Sequence, residues 1–192
     1  MHAWHDVYVD DQLIATVFPV VIEVPKASKN KYELDKETGL LRLDRVLYGA
    51  VHYPANYGFV PRTFCDDDDP LDALVLGQEP VQPLTIVDAR AIGAMRMKDE
   101  KGIDDKIIAV SVDDPAVAGY TNISDLPTYA MREIRRFFED YKTLEGKEVV
   151  VEDFMGAGEA LPILADALGL YRRLRRGELL AAKPGLAEDR QP

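Results

Sequence analysis

Asp67, Asp69 and Asp72 stand at i, i+2 and i+5 in the run Asp66-Asp67-Asp68-Asp69-Pro70-Leu71-Asp72. Pro70 fixes the turn between Asp69 and Asp72, and Ala73-Leu74-Val75-Leu76-Gly77 follows at once as a buried strand. Pinned to a strand edge in this way, the three carboxylates can be aimed at one point, where they would bind a hard divalent cation such as Mg²⁺. A second acidic segment, Asp99-Glu100-Lys101-Gly102-Ile103-Asp104-Asp105-Lys106, lies between two further strand candidates. Alone it reads as a charged hairpin tip. Two such segments brought to the mouth of one small barrel would repel each other and need cations.

Positive charge comes from elsewhere in the chain. The two-residue strand period puts Lys31 and Glu33 of Lys31-Tyr32-Glu33 on one face. Glu23 interrupts an apolar strand, so it faces a polar cavity or sits at an edge, and Arg45 ends the strand Leu43-Asp44-Arg45. Each alone reads as a surface charge. Together they describe a mouth carrying both signs, which suits a metal-bound phosphate ester or anhydride. Tyr53-Pro54-Ala55-Asn56-Tyr57-Gly58-Phe59 reads as a packed aromatic loop whose phenols could reach phosphate. Tyr141-Lys142 closes a helix with another phenol and ammonium, and Tyr141 also belongs to that helix's apolar stripe.

The elements that must position these residues are mostly short strands, expected over residues 17–24, 32–35, 40–46, 74–76, 85–87, 89–95 and 106–112, with a hairpin turn at Lys36-Glu37-Thr38-Gly39. No helix long enough for a parallel crossover separates them, so a barrel or sandwich is expected. Two helices follow. One runs from Leu126-Pro127 to about Leu144, capped by Ser124 or Asp125 and ended by Gly146. The other runs from about Glu159 to Arg176, with Pro162 in its first turn. Arg172, Arg173, Arg175 and Arg176 at its end read as solvated charge that complements the helix dipole, rather than as a phosphate site. The expected fold is mainly β with α: a small β-barrel with helices packed on it, as one domain over 1–192 whose tail from about 178 is flexible.

With 192 residues, 47% hydrophobic and a net charge of −11, the chain is expected to be globular and to repel nucleic acid and anionic membranes. The single cysteine, Cys65, allows no intrachain disulfide and reads as a small buried residue. The N-terminal residues carry no basic and apolar leader pattern, and no apolar run reaches membrane-spanning length, so a cytoplasmic protein is expected. His2 and His5 read as solvated. Patterns for nucleotide-binding glycine loops, a nucleophile elbow and a zinc-protease helix are absent. An EF-hand loop fails because Asp72 and Gln78 stand where glycine and a bidentate glutamate are needed.

Six linked blocks carry a resemblance: Glu23-Val24-Pro25, Lys31-Tyr32-Glu33, Asp44-Arg45, Tyr53-Pro54-x-Asn56-Tyr57-Gly58, Asp67-x-Asp69-Pro70-x-Asp72 and Phe137-Phe138-Glu139-x-Tyr141-Lys142. In order and spacing, over about 17–154, the chain resembles the family I soluble inorganic pyrophosphatases, and most of all their plant-like branch. The resemblance implies a five-stranded OB-like barrel with flanking helices. It also implies hydrolysis of pyrophosphate to two phosphates with several Mg²⁺ ions per site, Mn²⁺ or Zn²⁺ being substitutes. By motif, Asp67, Asp72 and Asp104 would be the main metal ligands, with Asp99 on a further ion. Glu23 and Glu33 would hold a metal that arrives with substrate. Asp69 would be the general base beside a metal-activated water, with Tyr57 grouped with it as catalytic. Lys31, Arg45, Tyr57, Tyr141 and Lys142 would bind phosphate oxygens, with Tyr53 in support. A homo-oligomer is implied, a hexamer first, with trimer and monomer as alternatives. The residues themselves leave open a two-metal phosphohydrolase acting on nucleotides or phosphomonoesters, and a non-catalytic OB-like binding module. The charge of −11 and the acids in the mouth oppose a nucleic-acid ligand.

Overall fold

A computed structural model describes residues 2–100 and 102–179. Its strands are β1 (Phe18–Val24), β2 (Asn30–Leu34), β3 (Leu41–Val46), β4 (Asn56–Phe59), β5 (Asp72–Leu76), β6 (Ile86–Asp99), β7 (Gly102–Ser111) and β8 (Val150–Gly156). Two helices, α1 (Thr128–Asp140) and α2 (Ala157–Arg175), complete it. Strands β1, β4, β5, β7 and β6 follow one another by hydrogen bonding, and β6 returns to β1, closing a five-stranded barrel. Strand β8 extends the sheet beyond β6, and β2 and β3 form a separate hairpin. All pairings are antiparallel except β5 with β7. The OB-like barrel with flanking helices is thus the observed fold.

Period-two alternation explains why β5 and β7 read as unbroken apolar runs. Leu74, Ile108 and Val110 pack with Phe137 and Phe138 of α1, whereas Ala73, Val75, Ile107 and Ala109 pack with Leu164 and Leu168 of α2. Both faces are buried, so no polar residue marks the alternation.

Several boundaries differ from expectation. Residues 85–87 and 89–95 belong to one long β6, and β7 starts at Gly102 rather than Lys106, so Asp104 lies inside a strand. The expected aromatic loop contains β4. Pro54 and Gly58 hide it as turn formers, yet Asn56–Phe59 is wholly buried. Gly58 is there for close approach: a Cβ at this position would stand 1.9 Å from the Val21 carbonyl oxygen of β1. Strand β8 was not expected, because Val151 is its one buried residue and Glu152 and Asp153 follow it at once.

The helix caps also shift. Ser124 and Asp125 belong to a short 3-10 turn of their own, with Asp125 accepting the Thr121 and Asn122 amides at 2.8 and 3.0 Å. Pro127 is the residue before α1, and that helix stops at Asp140. A 3-10 turn over Thr143–Glu145 follows, closed by Gly146 at φ 73. Helix α2 begins at Ala157, with the Glu159 carboxylate accepting the Gly156 amide at 3.1 Å, so Pro162 falls beyond the first turn. The expected flexible tail lies, from residue 180, outside the described residues.

Candidate active site

One cleft of about 660 Å³ gathers most of the residues singled out in the sequence. The β2–β3 hairpin contributes Lys31, Glu33 and Arg45; the loop before β5 contributes Asp67 and Asp69, and the first residue of β5 is Asp72; β6 and β7 contribute Asp99 and Asp104; and the residues just past α1 contribute Tyr141 and Lys142. Tyr53 and Tyr57 form part of its wall. Glu23 lies outside that cleft but lines an adjoining one of about 240 Å³, shared with Lys31, Glu33, Asp67, Asp69 and Asp72.

Local irregularities aim these side chains. The β1–β4 register shifts between Ile22 and Val24, so Glu23 sits at a bulge. From there its carboxylate reaches the hairpin and accepts the Leu34 amide at 2.7 Å. A second shift between Lys31 and Tyr32 leaves Asp44 opposite no residue of β2. Asp44 then pairs with Arg45, and with Lys31 at 3.3 Å. The acidic loop closes through Cys65 N–H to the Asp69 carbonyl at 2.9 Å and Asp68 N–H to the Cys65 carbonyl at 3.1 Å. Asp68 takes the left-handed backbone at φ 68, a region aspartate tolerates better than most residues.

The three carboxylates line one cleft but take separate partners. Asp67 accepts the Asp69 amide at 3.2 Å, Asp69 pairs with Lys36, and Asp72 pairs with Lys106 at 2.6 Å. Lys106 is the principal residue that the sequence reading missed. It is 2% exposed, and its ammonium also contacts Tyr57 Oη at 3.0 Å and both Asp104 oxygens at 3.1 and 2.9 Å. The signal was present, since Asp104 and Lys106 share a strand face by their spacing, while Asp105 turns the other way to a two-bond pair with Arg96. Glu145 was missed as well. It lies on the turn after α1 and accepts Arg45 Nε–H at 2.7 Å, tying the hairpin to the helix end. Lys142 donates to Asp99 at 2.7 Å. Tyr57 donates to Asp72, so its phenol is engaged with a carboxylate. Tyr141 stays in the aromatic cluster with Phe137 and Phe138 while also lining the cleft.

The electrostatics describe acids short of positive charge. Burial, then Asp72, pushes the Glu23 carboxyl up to about 8. Partial burial and Asp69 raise Asp67, and burial raises Asp104 although Lys106 pulls the other way. Burial acts to lower Lys106, but Asp104 and Asp72 outweigh it and keep the ammonium charged. Burial pushes the phenols of Tyr53, Tyr57 and Tyr141 upward, so they remain neutral. Hard oxygen donors crowded in this way fit a divalent cation. Among the described residues, however, no three acid, histidine or cysteine side chains form a ready-made chelate. Lysine ammonium groups hold the acids singly or in pairs.

A closed five-stranded barrel whose mouth sets two acidic segments against Lys31, Arg45 and Lys142 defines the class of protein. Comparison with known proteins specifies the family. Residues 20–172 match the model of the inorganic pyrophosphatase family. Soluble inorganic pyrophosphatase 2 of Chlamydomonas reinhardtii is 54% identical over 171 residues, covering 89% of this chain and 88% of that protein. Soluble inorganic pyrophosphatase 5 of Arabidopsis thaliana is 55% identical over 170 residues, covering 88% of this chain and 78% of that protein. The structure of the inorganic pyrophosphatase from Thermus thermophilus superposes with a TM-score of 0.83 at 41% identity, covering 86% of this chain and 97% of that one. The Helicobacter pylori enzyme gives 0.83 at 45%, covering 87% and 99%. The chain belongs to the inorganic pyrophosphatase family.

Proposed function

We propose that this protein hydrolyses inorganic pyrophosphate to two orthophosphates, with Mg²⁺ as the metal. Family membership supports the reaction, and the family is metal-dependent. The observation in the site that carries the reading is a single cleft in which under-compensated carboxylates face Lys31, Arg45 and Lys142. Asp67, Asp72, Asp104 and Asp99 would hold metal, and Glu23 and Glu33 would hold metal brought with substrate. When bound, Mg²⁺ would neutralise phosphoryl charge and acidify water.

The chain's own residues do the rest. Lys31, Arg45 and Lys142 neutralise the phosphate oxygens. Arg45, which lines the cleft, is held by Glu145 through Nε and by Asp44 through Nη1. Tyr57 and Tyr141 stay neutral and keep a hydroxyl proton to donate; Tyr57 gives its proton to Asp72 and accepts from Lys106, and Tyr53 backs Tyr57 at a ring distance of 5.4 Å. Asp69 is the proton acceptor, with Lys36 holding its carboxylate at the cleft edge. Catalysis is then positioning plus electrostatics, as in other phosphoryl transfers. A homo-oligomer, a hexamer first, and a cytoplasmic location complete the reading. Neither nucleic acid nor membrane is a partner in it, given the −11 charge.

A phosphate-release assay on pyrophosphate, ATP and a phosphomonoester tests the substrate class. Pyrophosphate should be preferred by orders of magnitude. Preference for ATP or the monoester would refute the reading.

A further inference from the structure

A second cleft of about 660 Å³ lies between the N-terminal segment and the C-terminal half of α2, and it shares no lining residue with the first. Arg62, Arg172, Arg175 and Arg176 line it, against the carboxylates of Asp10 and Asp11. Arg172, Arg175 and the capping Arg176, all at the C-terminal end of α2, complement the helix dipole. Arg62 has no such reason to be there. It sits past β4 with φ 54, a left-handed conformation that costs a residue with a side chain about 1–2 kcal/mol. Its amide donates to the Trp4 carbonyl at 2.9 Å and its Nε–H to the His5 carbonyl at 3.2 Å. Its guanidinium lies over the Tyr8 ring, 5.5 Å from the centroid. His5 was expected to be solvated. Instead it stacks on Trp4 and bonds the buried Tyr171 hydroxyl at 2.8 Å.

Arg172 is paired with Asp11, and Arg176 with Glu178 at 2.6 Å. Among the described residues, no hydrogen bond or ion pair takes the terminal nitrogens of Arg62 or any nitrogen of Arg175. Two guanidinium forks from separate elements therefore face one cleft with spare donors. Held near each other they repel, and an anion between them reverses that cost. Planar forks match phosphate oxygens in pairs, and the cleft volume falls in the usual range for small-ligand sites. We propose that this cleft binds a phosphate-bearing anion through Arg62 and Arg175, at a site separate from the catalytic cleft.

Trp4 is the only tryptophan and its ring lies 4.7 Å from that of His5, so its emission reports on this cleft. In EDTA at constant ionic strength, the full-length protein is titrated with inorganic tripolyphosphate and, separately, with ATP. A saturable change in emission is expected with each. Equal half-saturation assigns the site to the phosphate chain, and tighter binding of ATP adds the exposed Tyr8 ring as a platform for the base. The double variant Arg62→Asn, Arg175→Ala should raise half-saturation at least about tenfold, by loss of charge-assisted bonds, with pyrophosphate hydrolysis unchanged. Asparagine tolerates the left-handed backbone at 62. If that variant folds poorly, Arg175→Ala alone, on an exposed helix turn, should weaken binding several-fold. No saturable change, or an unaltered titration in the variants, overturns the proposal.

Discussion

Replacing Glu23 with glutamine tests how the site carries its charge. The Glu23 carboxyl is 7% exposed and accepts the Leu34 amide, and burial followed by Asp72 raises it from 4.5 to about 8. Between those values the folded protein keeps a proton that the unfolded chain has lost. Stability contributed by this group is therefore full below about 4.5 and is lost as pH rises toward about 8. Glutamine has no proton to lose and keeps an oxygen for the Leu34 amide. At about 1.4 kcal/mol per pH unit, wild type should lose roughly 3–4 kcal/mol relative to Glu23→Gln between about pH 5 and about pH 8. Urea unfolding of both proteins in EDTA, repeated across that range, reads the difference directly. Parallel stability profiles for the two proteins would refute the assignment of a buried, protonated Glu23. Addition of Mg²⁺ should raise wild-type stability most at the high-pH end and so flatten its profile, because the metal binds the carboxylate and displaces its proton.

Three further substitutions address separate parts of the site. Lys106→Met leaves Asp72 and Asp104 facing each other without their ammonium, and it should cost about 3–5 kcal/mol in urea unfolding at neutral pH. Glu145→Ala frees Arg45 Nε and should raise the KM for pyrophosphate roughly tenfold, while Glu145→Gln, which keeps an acceptor, should stay near wild type; steady-state kinetics on the pair decides. Asp69→Asn should lower turnover by about 10²–10⁴-fold with Mg²⁺ affinity nearly unchanged, whereas Asp72→Asn should damage both, as measured by phosphate release and calorimetric titration. Equal loss of Mg²⁺ affinity in the two variants would contradict the division of roles.

Legibility in the sequence followed the range of the interactions. The β2–β3 hairpin was readable because Asp35 caps its own turn, accepting the Thr38 amide at 2.9 Å. Barrel closure through β1 and β6 was not, since the pairing of Phe18 with Ala89 joins residues far apart in sequence that carry no mutual mark. Strand β4 was concealed by Gly58, whose role is set by the Val21 backbone rather than by its neighbours in sequence. The acidic loop announced itself by composition, but the direction of each carboxylate did not. That direction depends on Lys36 and Lys106, which arrive from other elements. Lys106 itself was overlooked because a lysine at a strand start ordinarily reaches solvent, and only the assembled mouth buries it. The α2 arginines looked like a solvated helix end because Arg62 meets them only in three dimensions.

Phosphate release from pyrophosphate by the purified full-length protein, titrated with Mg²⁺, bears most directly on the central claim. Release should be absent in EDTA, rise to saturation with Mg²⁺, and be suppressed by added Ca²⁺, whose larger radius and looser coordination distort the site. An absence of release at saturating Mg²⁺, or equal release in EDTA, would contradict it.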